Sequence, residues 1–277
     1  MNGRGARAND GGPFERTLKR DRFITMAGLV TVVMIAAAYT VTGIGMPMSA
    51  IEMTSMVVRM PDMMMASVAW TPRYGVLVFM MWWVMMVAMM VPSAAPTILF
   101  YTTLVRKNNK VDHPFAAASV FLFGYLMVWG GFSLAATVLQ WGLVSLGQVN
   151  AMMEFSQASM AAAVLVGAGL YQVSPLKQAC LRHCQHPFLF FLHNWKPGLL
   201  GALRMGMQNG VVCLGCCWAL MVLLFVGGVM NLLWIAALAL FVGLEKLALG
   251  LPWLTKLSSA VLISGGLALV VALWGDA

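Results

Sequence analysis

The sequence predicts an all-α, polytopic transmembrane bundle of about seven spans with its N-terminus on the cytoplasmic side. Three observations predict it. Hydrophobic residues make up 61% of the 277 and charged residues only 9%, where a soluble domain carries about a quarter. Mean hydropathy is +0.85. Continuous apolar runs, near the roughly 20 residues that cross a bilayer core, recur along the chain. They lack the alternation of a membrane β-barrel.

The first run, 23–45, follows a Gly-rich, polar and basic segment, 1–22, that reads as a disordered tail. That segment is too long and too charged for a cleaved signal peptide, so the run reads as an uncleaved anchor opening the membrane domain, 23–277. Residues 46–73 form the largest outer loop. They hold Met46, Met48, Met53, Met56, Met60, Met63, Met64 and Met65 at spacings that suit a partly helical segment at the interface. These methionines read either as flexible apolar filler or as a thioether collar for Cu(I).

In the second run, 75–101, Met81, Met85 and Met89 fall at i, i+4 and i+8, with Met86 and Met90 in parallel, so they stack along a helix face. Packing and a metal path are both open readings. Pro92 and Pro96 are expected to interrupt this helix and to turn the break towards the bundle interior, where freed carbonyls are shielded. The third and fourth runs, 115–144 and 157–173, carry no ionisable residue in their central stretches. Their small residues (Gly124, Gly130, Gly131, Gly167, Gly169) mark them as scaffold. The last three runs are 209–230, 232–248 and 257–274.

Charge orients the bundle. Arg4, Arg7, Arg16, Lys19, Arg20, Arg22, Arg106, Lys107, Lys110, Lys177, Arg182, Lys196, Arg204, Lys246 and Lys256 all fall on the cytoplasmic side of a seven-span chain, and only Arg59 and Arg73 fall outside. A net charge of +8 would suggest nucleic acid in a soluble chain. Here the bases decorate loops and match anionic headgroups, so the expected partner is the bilayer of a bacterial inner membrane and not nucleic acid.

All five cysteines and three of the four histidines lie between 180 and 217, within a metal-site region at 177–217. Cys180, His183 and Cys184 fall at i, i+3 and i+4, and so do Cys213, Cys216 and Cys217. On helices each set projects from one side with β-carbons roughly 5–6 Å apart. Neither set alone completes a metal shell, but two facing sets would. Topology puts the first set in the loop after the fourth run and the second near the cytoplasmic start of the fifth. Thiolates and imidazoles together select late first-row ions, Cu(I) first and zinc as the alternative. His186, turned aside by Pro187, and His193 are accessory candidates, as are Met81, Met85 and Met89. Packing of small apolar cysteines and a redox dithiol stand as competing readings. Glu245, late in the sixth run, reads either as snorkelling or paired with Arg204, or as an anionic group beside the same metal.

The runs LKQACLRHCQHPFLFF and GALRMGMQNGVVCLGCCWALM, with MMWWVMMVAMMVPSAAP before them, resemble a bacterial family of metal-binding integral membrane proteins, a domain of unknown function linked to copper handling. The resemblance covers nearly everything after the tail, with three separated motifs in order. It implies Cys180, Cys184, Cys213, Cys216 and Cys217 as ligands, and Glu245 in a shared Glu-Lys pair. Relatives often carry a histidine where this chain has Asn209, so the resemblance brings no imidazole ligand from the fifth run.

The expected function is copper handling in the membrane, as a transporter or an embedded chaperone exchanging Cu(I) with a donor or acceptor protein. A homo-oligomer is compatible with it. No phosphate-binding loop and no Ser/His/Asp arrangement is present, so ATP does not drive it on this chain and no catalytic residue is assigned. The alternatives are a membrane thiol-disulfide oxidoreductase using Cys213, Cys216 and Cys217, and an assembly factor with a structural zinc.

Overall fold

Among the described residues every apolar run of the sequence folds mainly as helix. In this computed structural model the described residues are 13–43, 49–59, 70–107, 114–150, 153–247 and 252–275. Among them the helices are α1 (Pro13–Thr42), α2 (Ala50–Arg59), α3 (Pro72–Lys107), α4 (Pro114–Ser145), α5 (Ala158–Gln172), α6 (Pro175–Gln185), α7 (Pro187–Asn194), α8 (Gly198–Val222), α9 (Leu224–Gly227), α10 (Leu232–Leu247) and α11 (Pro252–Gly275). No strand occurs among the described residues, only an isolated bridge between Val149 and Phe155.

Five helices are long and apolar enough to cross a membrane, and six if α5 and α6, bent by 61° at Val173–Ser174, count as one broken span. The seventh expected segment is α10. Its 16 residues rise about 24 Å at 1.5 Å each, short of the roughly 30 Å hydrocarbon core. The architecture is compatible with a multi-pass membrane protein. Large apolar side chains cover its outer surface, as on α11, where Trp253, Leu257, Val261, Leu267, Val271 and Trp274 are exposed.

The outer methionine segment is described only in part. Met46, Met48, Met60, Met63, Met64 and Met65 lie outside the described residues, and Met53 and Met56 sit on the backbone of α2. A capping box opens α2: Ser49 Oγ accepts from the Glu52 amide (3.2 Å), while Glu52 Oε2 accepts from the Ser49 amide (2.8 Å). Those bonds to the ionised carboxylate hold Glu52 below the ordinary carboxyl range. α1 begins at Pro13, inside the segment expected to lack structure, while 1–12 lie outside the described residues.

Two local features differ from expectation. Helix α3 runs unbroken through Pro92 and Pro96, and both prolines lie on its exposed side while Ala94 and Thr97 are buried. Spacing of four residues puts both rings on one face, so the interior face keeps its helical geometry. Helix α8 begins at Gly198 instead of 209. Pro197 and the positive φ of Gly198 (79°) set that start, and Arg204 and Gln208 are carried inside the helix rather than held in the loop before it.

Helix α8 is central: 56% of its most apolar stretch is buried, against 11% for α11. It packs on α4 and α6, while α5 packs on α11, and α3 on α1 and α4. The α4–α8 crossing is made by glycines. A Cβ at Gly206 would strike the Phe121 carbonyl, and one at Gly210 would lie 3.0 Å from Val128 and 3.2 Å from the Tyr125 carbonyl oxygen. Backbones that approach this closely bring Tyr125 of α4 onto the thiol face of α8.

Candidate metal centre

Because α8 starts early, Cys213, Cys216 and Cys217 do not sit at its beginning. Cys213 lies 15 residues in, about 22 Å along the axis, near the middle of the 30-residue apolar stretch that α8 and α9 form together. All three thiols are buried, at 1–2% exposure. The loop expected to carry Cys180 and Cys184 is helix α6. Ser174 caps it by accepting from the Lys177 amide (3.2 Å), and Pro175 occupies its first turn.

The two sets meet at one edge rather than face to face. Helical residues step by about 100°, so positions i+4 and i+3 diverge to opposite sides of position i by roughly 40° and 60°. On α6 this points Cys184 at α8, with its Sγ 4.0 Å from Cys216 Sγ. Cys180 lies over Gly215, where a Cβ would come within 2.8 Å of its sulfur. His183 points away, exposed, its Nδ1 3.2 Å from the Ala179 carbonyl. His183 and His186 line an open surface hollow with Ala179 and Arg182. His186 links α6 to α7 and is exposed, and His193 falls on α7.

On α8 the same divergence fans the three thiols towards three neighbours. Cys216 meets α6. Cys217 Sγ lies 3.9 Å from Met90 Sδ of α3. Cys213 Sγ lies 3.0 Å from Tyr125 Oη of α4 and accepts from Lys246 Nζ of α10 at 2.9 Å. Cys216 and Cys217 both donate to the Cys213 carbonyl, at 3.0 and 2.9 Å. Among the described residues all five cysteines are free, and no three Cys, His, Asp or Glu side chains converge on one ion-sized point. A bridging ion at about 2.3 Å from each sulfur needs them roughly 4 Å apart, which the Cys184–Cys216 pair satisfies.

Beside that pair is a cavity of about 10 Å³, the lower limit for one water-sized body. Cys184, Cys213, Asn209, Lys246, Tyr125, Ser93, Ala94 and Thr97 line it. Cys184 and Lys246 are each the penultimate residue of their helices, α6 and α10, so two helix C-termini with their partial negative charge end near this cavity. Soft sulfurs, an amide and hydroxyls around a single-atom space suit a small soft cation. Met81, Met85 and Met89 are buried in the core of α3, and its contact with the thiols runs through Met90.

The Glu-Lys pair of α10 serves two separate partners, because neighbouring residues point about 100° apart. Glu245 pairs with neither Arg204 nor solvent. Its Oε2 accepts from Lys177 Nζ of α6 at 2.7 Å, with both side chains buried. Gln172 accepts from the same ammonium and donates to Ser258 Oγ of α11 at 2.8 Å. Gln185 Nε2 donates to the Glu245 carbonyl at 2.8 Å. Lys246 turns the other way, into the cavity, where Nζ also donates to Ser93 Oγ at 3.1 Å and lies 3.9 Å from Met90 Sδ.

Sequence reasoning placed Lys177 and Lys246 on the cytoplasmic surface, and both are buried. It passed over Tyr125 and Ser93, and placed Met90 only within the methionine face of the second run. The signal for Lys246 was present: two adjacent ionisable residues inside LFVGLEKLALG cannot both face lipid. Tyr125 carried no comparable signal, since it reaches the site only through the glycine-lined crossing.

No curated protein and no solved structure matches the chain. A family model described as copper chaperone (PpoB2) matches residues 79–269, from α3 into α11. That match takes in the cavity and well over half of the chain, and the protein belongs to this copper chaperone family.

Proposed function

We propose that the protein handles Cu(I) inside a bacterial inner membrane, taking the ion as cargo at the cavity between α3, α4, α6, α8 and α10 and passing it to or from a protein partner. The observation that carries this reading is the pair of sulfurs 4.0 Å apart, Cys184 and Cys216, beside a single-atom cavity that Cys213 also lines. Soft donors of this kind favour Cu(I) over hard cations. The thiols come from separate elements, α6 and α8, so a shift of α6 changes the donor set, as a protein that both takes and releases an ion requires.

Burial argues against the oxidoreductase alternative. Thiol exchange needs an accessible thiolate, and Cys213, Cys216 and Cys217 are covered on all sides. The test is copper content of the purified, reduced protein. Cys184→Ser and Cys216→Ser should each remove most of the bound copper, and together little more, because they serve one ion. Copper retained by the double variant would place the ion elsewhere and overturn the assignment.

A further inference from the structure

Of the five thiols, those on α6 are the ones within reach from outside. Cys213, Cys216 and Cys217 are buried at 1–2% exposure, whereas Cys180 and Cys184 are half-buried. Cys184 lines the cavity and lies 4.0 Å from Cys216 Sγ, so α6 is where an outside donor meets the pair. The helix is polar there. Gln178, Arg182 and His183 are exposed, and Ala179, Arg182, His183 and His186 line the open hollow. His183 stands about 60° round the helix from Cys180, so the hollow and the half-buried thiols adjoin. A guanidinium is costly in hydrocarbon, which puts this face at the membrane surface.

The charge of this surface has one sign. From 155 to 244 the sequence holds no Asp or Glu, while Arg182 and Arg204 are exposed and Lys196 is half-buried. Glu245, the next carboxylate along the chain, is buried against Lys177. Phe188 and Leu192, four residues apart on α7, add exposed apolar area beside His186. Apolar anchors and an arginine set in a polar rim are the make-up of a protein–protein interface.

We propose that the outward face of α6 and α7 is the docking surface for a soluble, acidic, copper-carrying protein, seated on Arg182, His183, His186, Phe188 and Leu192 so that its own donors come beside Cys184. The proposal rests on the copper-handling reading and deepens it by naming the partner's chemistry and its place. Carboxylates around the partner's metal site are attracted to the one edge of the bundle where accessible thiols lie. Rim charges of this kind act chiefly on the rate of association and on the choice of partner. Anionic headgroups match the charge but bring no ion to the thiols.

Two synthetic peptides test it. Both carry one Cys-x-x-Cys pair loaded with Cu(I); glutamates flank the pair in one and lysines in the other. Each is mixed with the purified, reduced, metal-free full-length protein in uncharged detergent, and copper uptake is timed at low and at high salt. The acidic donor should deliver copper faster by about tenfold or more at low salt, and salt should narrow the gap. Arg182→Glu should remove most of that preference and leave copper content at saturation unchanged. Arg22→Glu, at an exposed position on α1, which packs on α3 and α4, changes net charge equally and should leave the preference standing. Equal rates from the two peptides with the unaltered protein overturn the docking surface, as does an equal loss of preference in the two variants; copper uptake in either case leaves the copper reading intact. If Arg182→Glu instead lowers the phosphatidylglycerol retained by the purified protein with uptake rates unchanged, the face belongs to lipid and the proposal falls. A protein that takes copper from neither peptide, nor from a Cu(I) salt, removes the copper reading as well.

Discussion

Lys177 and Lys246 are both buried and both reach α10 or belong to it, yet different chemistry answers them. Lys177 faces a carboxylate at 2.7 Å and an amide, and its charges cancel within a closed network joining α5, α6, α10 and α11. Lys246 faces a thiol sulfur, a hydroxyl and a thioether, beside a cavity. A carboxylate is ionised under ordinary conditions, so the first pair is fixed. A thiol can lose or keep its proton and can take a metal, so the second pair can exchange partners. The first lysine ties α6 to α10, and the second lines the cavity beside the thiols of α6 and α8.

Stability measurements offer the strongest challenge to that contrast. Lys177→Met leaves Glu245 buried without its partner and should cost about 3–5 kcal/mol, read as a fall in the unfolding midpoint in detergent. Adding Glu245→Met should recover most of it, because the stranded charge goes too. Lys246→Met should cost less, about 1–3 kcal/mol, since Cys213 can stand as a neutral thiol beside Tyr125 and Ser93. Equal losses from the two lysines would erase the distinction.

Finer substitutions sharpen it. Tyr125→Phe removes one buried partner of Cys213 and should cost about 0.5–1.5 kcal/mol. Copper content should hold, because the Cys184–Cys216 pair does not touch this hydroxyl; loss of copper with stability intact would make Tyr125 part of the donor set. The smallest effect should come from the outer side of α6. His183→Ala and His186→Ala, both exposed, should stay within about 0.5 kcal/mol of wild type and leave bound copper unchanged. A drop in copper would return the imidazoles to the site that the thiols now share with Lys246.

Much of this was legible in the sequence. Each apolar run is a helix, α4 within a residue or two of its expected ends, because bilayer length and continuous hydrophobicity leave a chain few other options. The clustering of cysteines between 180 and 217 marked the two elements that carry the thiols. The direction of each thiol was less accessible. Equal i, i+3, i+4 spacing looked like two matching faces, but a step of about 100° per residue spreads three positions widely enough for Cys213, Cys216 and Cys217 to serve different neighbours.

By itself the sequence determined an α-helical, largely apolar chain with its cysteines confined to α6 and α8, because composition and local periodicity act within one segment. Only the tertiary structure decided that α8 begins at Gly198 and carries its thiols to mid-helix, that His183 faces outward, and that Glu245 and Lys246 part company to Lys177 and Cys213. Those outcomes depend on which helices touch. Glycine-lined approaches such as Gly206 on Phe121, and the need of each buried charge for a partner, are settled between elements far apart in the chain, where local pattern carries no information.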